Sequence, residues 1–392
     1  MAGVSVREKW AAVISAAATG DVAQRDRARE LPFAAIDVLK SAGFGALRVP
    51  EEFGGAGLCW ADIIPLWIDL AAADANLTQA LRGHFTFVED LLFRHRRRQD
   101  QSRWFERFVA GEIVGNAWTE IGTTTIGDLA TVLRTNGDHH LLTGRKFYTT
   151  GTIFAEWADV TATLDGTHVV AAVRTDQPSV RVLDDWDGFG QRGTGSGTAE
   201  FIDARVEFDD VLPFAERHPY QTALYQVNLV ATLAGIAAAV HRDVVAEVQG
   251  RTRNYSHANS SRVRDDPQVL GLIGEISATA YAAEAVAVRA AEALDGAANS
   301  SDGQSATERA ELEATAAQVA VSRMVLRSTS DLFDALGASA TSASRALDRH
   351  WRNARTVASH NPRIFKARVL GAHDVNGTPP PYAWAIGTTA GR

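Results

Sequence analysis

Asp185-Trp-Asp-Gly-Phe-Gly-Gln-Arg-Gly-Thr-Gly-Ser-Gly-Thr198 runs directly into Ala199-Glu-Phe-Ile-Asp-Ala-Arg-Val-Glu-Phe208. Gly188, Gly190 and Gly193 have the spacing G-x-G-x-x-G. That spacing cradles a dinucleotide only when a helix follows and aims its N-terminal amides at the pyrophosphate. Here the following residues alternate apolar and polar, the period of a half-buried strand. The Rossmann reading therefore fails, and the loop belongs to a β unit. Two readings of the loop remain. It is either a glycine-rich β connection, or a flexible loop whose amides, with Trp186, Ser196 and Thr198, meet a ligand lying on the β unit.

The same period of two extends outward through Ala130–Thr135, His140–Thr143 and His168–Val173, with hairpin turns at Asn136-Gly137 and Asp165-Gly166. These segments predict a compact antiparallel β domain over residues 115–215. On both sides the period changes to three and four. Residues 1–114 read as a helical domain, with Ile63, Ile64, Leu66, Trp67, Leu70 and Ala71 on one inward face. Residues 216–392 read as a four-helix bundle, with helices near 218–250, 267–298, 303–336 and 343–360. Asp265-Asp266-Pro267 is a helix start, and Asn299 to Ser305 is a polar loop between helices. Ala278, Ala282 and Ala285 give a small-residue face that suits packing against a sister subunit. The fold class is α+β, mostly α.

Composition narrows the function classes. The 392 residues carry 39 basic and 47 acidic side chains, a formal charge of −8. That balance argues against a general nucleic-acid binder. One cysteine, Cys59, makes neither an internal disulfide nor a multi-thiolate metal site, so a reducing cytoplasm is the expected compartment. Arg7 and Lys9 precede an apolar stretch, but Trp10, Val13, Ile14 and Ala17 fall at helical spacing and predict an amphipathic helix, not a signal peptide. The longest apolar stretch, Val227 to Val240, is shorter than the roughly 20 residues a membrane span needs. It predicts a buried helix.

Several residues invite chemistry. The segment Arg345 to Arg368 gathers Arg345, Arg349, Arg352, Arg355, Arg363, Lys366 and Arg368, either as a phosphate or subunit contact or as an ion-paired face. His360 stands at a predicted helix end before Asn361-Pro362, where the dipole favours its protonated form. It is a candidate proton donor, although a lone histidine there more often caps the helix. His84, in Arg82-Gly-His-Phe-Thr-Phe87, carries the same two readings. His139-His140 has no acidic or thiol partner at ligand spacing, so no metal site is expected.

Helical domain, β domain and bundle in that order resemble the acyl-CoA dehydrogenase fold. The likeness is carried by Arg48-Val-Pro-Glu-Glu-Phe-Gly-Gly-Ala-Gly57, Gly144-Arg-Lys-Phe-Tyr-Thr-Thr-Gly151, Phe189–Gly197 and Asp348-Arg-His-Trp-Arg-Asn-Ala-Arg355. Dehydrogenation needs a carboxylate base. The family places that base either on the bundle's first helix or late in the bundle. Neither position supplies one here, since residues 217–241 hold no acid and only Asp374 follows Asp348. The chain instead resembles the two-component flavin monooxygenases of this fold, the group of dibenzothiophene monooxygenase. The marks are His84, Gly115-Asn116-Ala117, Thr150-Gly151, Asp184-Asp185-Trp186, Trp351-Arg-Asn-Ala-Arg-Thr356 and Ser359-His-Asn-Pro362.

What that resemblance implies is specific. Reduced FMN, supplied by a separate NAD(P)H-dependent flavin reductase, reacts with O₂, and the resulting flavin hydroperoxide oxidises a small hydrophobic substrate at sulfur, nitrogen or aromatic carbon. His84 and His360 would flank the flavin as acid/base groups, with Asn116 and Thr150 bonding its edge and Trp186 walling the pocket. Thr119, Thr149, Arg253 and Arg355 join the implied flavin contacts. In the loop Gly337–Thr341, Ser339 stands where relatives carry an arginine that reaches across a subunit boundary in a homotetramer, which leaves the phosphate to Ser339, Thr341 and the nearby bundle arginines. An FAD-dependent acyl-CoA dehydrogenase, an amine or aminosugar N-oxygenase and a non-catalytic flavin-binding scaffold are the alternatives.

Overall fold

A computed structural model describes residues 5–121, 129–300 and 303–382. Six helices open the chain: α1 (Val6–Ala17), α2 (Val22–Ala28), α3 (Phe33–Ser41), α4 (Trp60–Ala73), α5 (Ala75–His95) and α6 (Ser102–Val109). The first starts on a capping box, Ser5 and Glu8 each bonding the other's backbone N–H. Between α4 and α5 the chain bends sharply, and the Asp74 carboxylate accepts from the Asn76 N–H to start α5. Helix α5 is buried along nearly its whole length, yet carries Asn76, Thr78, Gln79, Arg82, His84, Thr86, Glu89 and Asp90. A buried helix this polar must find partners for those groups or leave them facing a ligand.

Strands follow as β1 (Val114–Ala117), β2 (Val132–Asn136), β3 (His139–Phe147), β4 (Trp157–Leu164), β5 (Thr167–Arg174), β6 (Val180–Val182), β7 (Thr198–Val206) and β8 (Val211–Pro213). They form one sheet in the order β6-β7-β3-β2-β4-β5-β8, with β1 also on β4. Asp165 and Gly166 both have positive φ and close the β4–β5 hairpin. The sheet is mixed, not purely antiparallel. β1 and β2 both lie parallel to β4, against its first and second halves. They occupy one edge of β4 in tandem. Trp118 and Glu120, just after β1, are held by Asp159 and by the buried Lys146.

The third section is α7 (Gln221–Gly250), α8 (Pro267–Asn299), α9 (Gly303–Leu336), α10 (Asp348–Ser359) and α11 (Arg363–Asn376). Periodicity predicts four long helices; the structure has three, and the short α10 and α11 share the fourth place against α9. Pro362 divides them, because its ring bars a continuous helix. Helix α4 packs on α7 as part of one apolar core that runs from Ile14 to Ala358. The helical sections thus share an interior, while the sheet has its own core around Leu142, Val160 and Phe201. Among the described residues, two helices are long and apolar enough to cross a membrane by length and composition. The apolar window of α7 is 89% buried inside the fold, whereas that of α8 is 11% buried. Burial of α7 agrees with the prediction made from Val227 to Val240.

Candidate active site

The glycine-rich loop is a packed connector. Gln191 N–H donates to Asn353 Oδ1 of α10, Gly193 N–H to Asn76 Oδ1 of α5, and Thr198 N–H to Asp185 Oδ1. A Cβ on Gly190 would stand 2.1 Å from the Arg352 carbonyl oxygen, so only glycine lets the loop lie against α10. Three of its amides are spent on protein side chains, and residues 190–199 are buried except the half-buried Arg192. The β-connection reading holds, and the flexible-loop reading fails. One part of the loop still faces inward through its hydroxyls. Thr194 donates to the Gln191 carbonyl at 2.8 Å. Thr194 Oγ1 therefore accepts from Ser196 at 2.8 Å, and Ser196 accepts from Thr150 at 2.7 Å. Thr150 is left with acceptor lone pairs and a committed proton.

Thr150 belongs to the turn after β3, which sits directly on α5: a Cβ on Gly151 would come within 2.0 Å of the Ala80 carbonyl oxygen. The Thr150 carbonyl accepts from Asn116 N–H, and Asn116 lies against Gly83. Asn116 Oδ1 is buried without a partner. Arg82, beside Gly83, extends to the end of α10, where its guanidinium donates to His360 Nε2 at 3.1 Å. The guanidinium also stacks over Tyr225 of α7, 4.7 Å from the ring centre. Tyr225 in turn meets Trp118 edge-on at 5.5 Å. Asn116, Thr150 and His360 are therefore gathered around residues 80–83 of α5.

The arginine decides the state of His360. A guanidinium has no acceptor, so Nε2 must offer its lone pair and the neutral ring carries its proton on Nδ1. His360 is solvent-accessible, but the surrounding protein desolvates the ring and the Arg82 cation opposes a second charge. Together they push its pKa down to about 3. The sequence expectation of a protonated His360 at a helix end is corrected: a neighbouring cation and desolvation outweigh the dipole.

His84 is placed elsewhere. It lies two residues from Arg82, about 200° around the helix, on the opposite face. Its Nδ1 accepts from the Val114 N–H at 3.2 Å and its Nε2–H donates to the Gly45 carbonyl at 2.8 Å. Phe85 and Phe108 close around the ring edge-on, and burial pushes its pKa down to about 4. Both ring nitrogens are occupied by backbone. His84 ties α5 to the η turn at Gly45 and to β1, and it does not flank a reaction centre with His360.

The remaining expected contacts divide. Thr149 spends both N–H and hydroxyl on the Gly197 carbonyl, and Thr119 gives its carbonyl to Phe147 N–H. Trp186 donates to Gly190 and lines a cavity of about 340 Å³ with Arg29, Asp185, Asp187, Gly188 and Arg192, none of which belongs to the cluster around α5. Arg355 bonds Ser359, a turn before His360. Arg253 is exposed after α7. It is Arg251 that reaches Ser339, at 2.8 Å, while Thr341 bonds its own turn. Most of the basic segment is ion-paired: Arg345 with Glu247, Arg349 with Asp243, Arg352 with Asp26 and Lys366 with Glu311.

Arg82, Tyr225 and Ser196 complete the cluster, and only Ser196 is legible in the sequence as a ligand contact. Arg82 does carry a signal: it interrupts the apolar series Leu77, Ala80, Leu81, Phe85, Val88. The nearby carboxylates are engaged. Arg217 pairs with both Asp90 and Asp159 over the Trp118 ring. Glu89 is held by Arg48 and Arg96, cations that offset its desolvation and hold its pKa down, to about 2. Asp159 bonds Trp118 and Arg217 through Oδ2, while its Oδ1 is buried without a partner and desolvation pushes its pKa up.

Several buried polar atoms near the cluster lack partners among the described residues: Gln79 Oε1, Arg82 Nε, Asn116 Oδ1 and both amide atoms of Asn228. Tyr225, Asn228 and Thr232 share one face of α7, and Thr232 bonds Thr78 of α5 at 3.0 Å. Asn228 thus stands between the contacts at Thr78 and Arg82. Donors and acceptors left open along one wall fit a flat heteroaromatic with alternating N–H and C=O groups, which an isoalloxazine is.

Two family models match the chain: the N-terminal domain of acyl-CoA dehydrogenases over residues 4–112 and the C-terminal domain over residues 228–362. A relative from Pseudomonas putida, a probable FMNH₂-dependent monooxygenase, SfnC, is 29% identical over 371 residues, 91% of each chain. The dibenzothiophene monooxygenase of Rhodococcus qingshengii is 26% identical over 391 residues, covering 95% of this chain and 92% of the relative. The solved FMN-bound structure of TdsC from Paenibacillus sp. A11-2 superposes with a TM-score of 0.84 at 25% identity, over 95% of this chain and 99% of that one.

Proposed function

The chain belongs to the acyl-CoA dehydrogenase family of folds, in its flavin monooxygenase branch, and on that premise we propose that it is the FMNH₂-dependent oxygenase of a two-component system. The observation that carries the reading is the cluster itself. A neutral His360, the open amide of Asn116 and the acceptor hydroxyl of Thr150 surround a site whose neighbouring acids Asp90 and Asp159 share the Arg217 guanidinium. A dehydrogenase needs a free carboxylate there, and an oxygenase does not.

Bound reduced FMN supplies the two electrons that activate O₂. Thr150 offers lone pairs to an N–H of the reduced ring, and Asn116 offers an acceptor beside it. His360 carries a neutral Nδ1–H that can donate a hydrogen bond to a leaving oxygen, with the proton staying on the ring. Trp118, Tyr225 and the packed loop wall the inner side of the site, and shielding from water there limits loss of the activated oxygen as peroxide. The partner is an NAD(P)H-dependent flavin reductase that releases reduced FMN.

The assembly is a homotetramer. Leu270 (50% exposed) and Tyr281 (80%) of α8 leave an apolar face for a second subunit. Arg251, Arg253, Ser339 and Thr341 form a polar corner at that end of the bundle, suited to a phosphate held jointly with a neighbour. The setting is cytoplasmic, where reductase and NAD(P)H are available.

Anaerobic titration with reduced FMN followed by air tests the function. The protein should retain reduced FMN and slow its reoxidation, and peroxide yield should fall when a substrate is added. Failure to retain reduced FMN, together with acyl-CoA turnover using an artificial electron acceptor, would restore the dehydrogenase.

A further inference from the structure

Arg217, buried just before α7, serves two carboxylates, Asp90 of α5 and Asp159 of β4. One guanidinium neutralises one of them. Asp90 is already placed for it, since its other oxygen accepts from the His218 N–H at 3.0 Å. Asp159 is therefore a second buried charge, with one oxygen unpartnered among the described residues. A carboxylate held out of water in that state costs stability. Beyond sharing Arg217, it accepts from Trp118 Nε1–H at 2.9 Å. The Trp118 backbone has its own anchors, because its carbonyl accepts from Thr161 Oγ1 at 2.9 Å and from Lys146 Nζ at 3.4 Å. The bond to Asp159 thus fixes the indole, and not the chain.

That indole joins the two halves of the site. It follows Asn116 by two residues on the sheet side. Its ring meets Tyr225 edge-on on the helical side, where Tyr225 carries the Arg82 guanidinium that bonds His360. Arg217 stands over the ring, 4.2 Å from its centre, and Phe214 meets it at 5.9 Å. Stacking fixes the plane of an indole, whereas its single N–H donor fixes which way round it lies. Resting on the oxygenase reading above, we infer that Asp159 is a positioning residue of the oxygenation site: by taking the Trp118 N–H it holds the indole against Tyr225 as a wall that keeps water from the reduced flavin and O₂. A displaced indole lets the two electrons and two protons of reduced FMN pass to O₂ and escape as H₂O₂, instead of one oxygen atom reaching the substrate. Asp159 acts only through the ring.

The test compares full-length wild type, Asp159→Ala, Asp159→Asn, Trp118→Phe and the double variant Asp159→Ala/Trp118→Phe. Asp159→Ala leaves Arg217 with Asp90, one charge for one, so the fold should hold. Labelling with ¹⁵N-tryptophan gives the indole N–H signals, and the one missing from Trp118→Phe belongs to Trp118. Its exchange with deuterium should be about tenfold faster in Asp159→Ala than in wild type. In Asp159→Asn, whose amide oxygen can accept the same bond, it should stay within about threefold of wild type. Each protein is then loaded anaerobically with reduced FMN and mixed with air. Reduced-FMN affinity should stay within about threefold throughout, while bound reduced FMN should reoxidise about tenfold faster in Asp159→Ala and at the wild-type rate in Asp159→Asn. The double variant should reoxidise no faster than Trp118→Phe alone, because Asp159 then has no indole N–H to hold. A wild-type rate in Asp159→Ala, an Asp159→Asn that behaves as Asp159→Ala, or a double variant faster than Trp118→Phe overturns the assignment. Should Asp159→Ala not fold, a wild-type rate in Trp118→Phe overturns it as well. Failure of wild type to retain reduced FMN would instead strike the oxygenase reading, and indole exchange would still decide whether Asp159 fixes Trp118.

Discussion

Two faces of α5 each hold a histidine at a boundary between sections, and they are built differently. On one face His84 bonds the Gly45 carbonyl and the Val114 N–H inside an aromatic wall. On the other, Arg82 reaches His360 at the end of α10 beside open amides and hydroxyls. Both rings are neutral, and desolvation is the first cause in both, with pKa values of about 4 and about 3. A depressed pKa therefore does not tell a structural histidine from a working one. The partner does: backbone groups that saturate both nitrogens of His84 fix a fold, while His360 meets only side chains, Arg82 and Asn361.

Breaking the structural side should give the largest effect. His84→Ala removes a fully buried ring and strands a carbonyl and an N–H, so it should cost about 4 kcal/mol, read from urea unfolding. The acid side of the stability curve comes next. Folded His84 has a pKa below its unfolded value, so the unfolded state binds the extra proton first and stability falls as pH drops from about 6.5 towards 4. The contribution is complete above pH 6.5 and amounts to about 3 kcal/mol, and His84→Asn should flatten that part of the curve. An unchanged slope would place the acid sensitivity elsewhere.

On the working side, Thr150→Val keeps the shape and removes the hydroxyl that bonds Ser196, so oxygenated product per reduced FMN should fall about tenfold. Thr150→Ser should keep most of it. The smallest effects belong to the basic segment. Arg352 bridges Asp26 and Asp348, and Arg352→Ala should cost about 1–2 kcal/mol. Arg355 meets only Ser359 locally, and Arg355→Ala should stay within about 0.5 kcal/mol. A reversed order would mean that the segment holds itself together through Arg355.

Much of this was legible in the chain. The alternation after Thr198 separates a β connection from a dinucleotide loop, and helix limits for α7, α8 and α9 follow from periodicity within a few residues. The parallel pairing of β1 and β2 with β4 was not, because strand order depends on contacts between segments far apart in sequence. The end of α10 before Pro362 was legible, but the helix α11 beyond it was not. His360, Asn116 and Thr150, named from separate motifs, lie around residues 80–83 of α5. His84 does not join them, since a motif reports spacing along the chain and not the face of a helix. Arg82, two residues from His84, was hidden for the same reason.

The most direct test compares His84→Asn with His360→Asn at pH 7.5, measuring product formed per reduced FMN together with the unfolding free energy. His360→Asn should remain as stable as wild type and lose about a hundredfold in product formation. His84→Asn should be less stable, yet each folded molecule should oxygenate at nearly the wild-type level. Normal oxygenation by His360→Asn, or a stable His84→Asn that has lost it, would contradict the assignment of the two histidines.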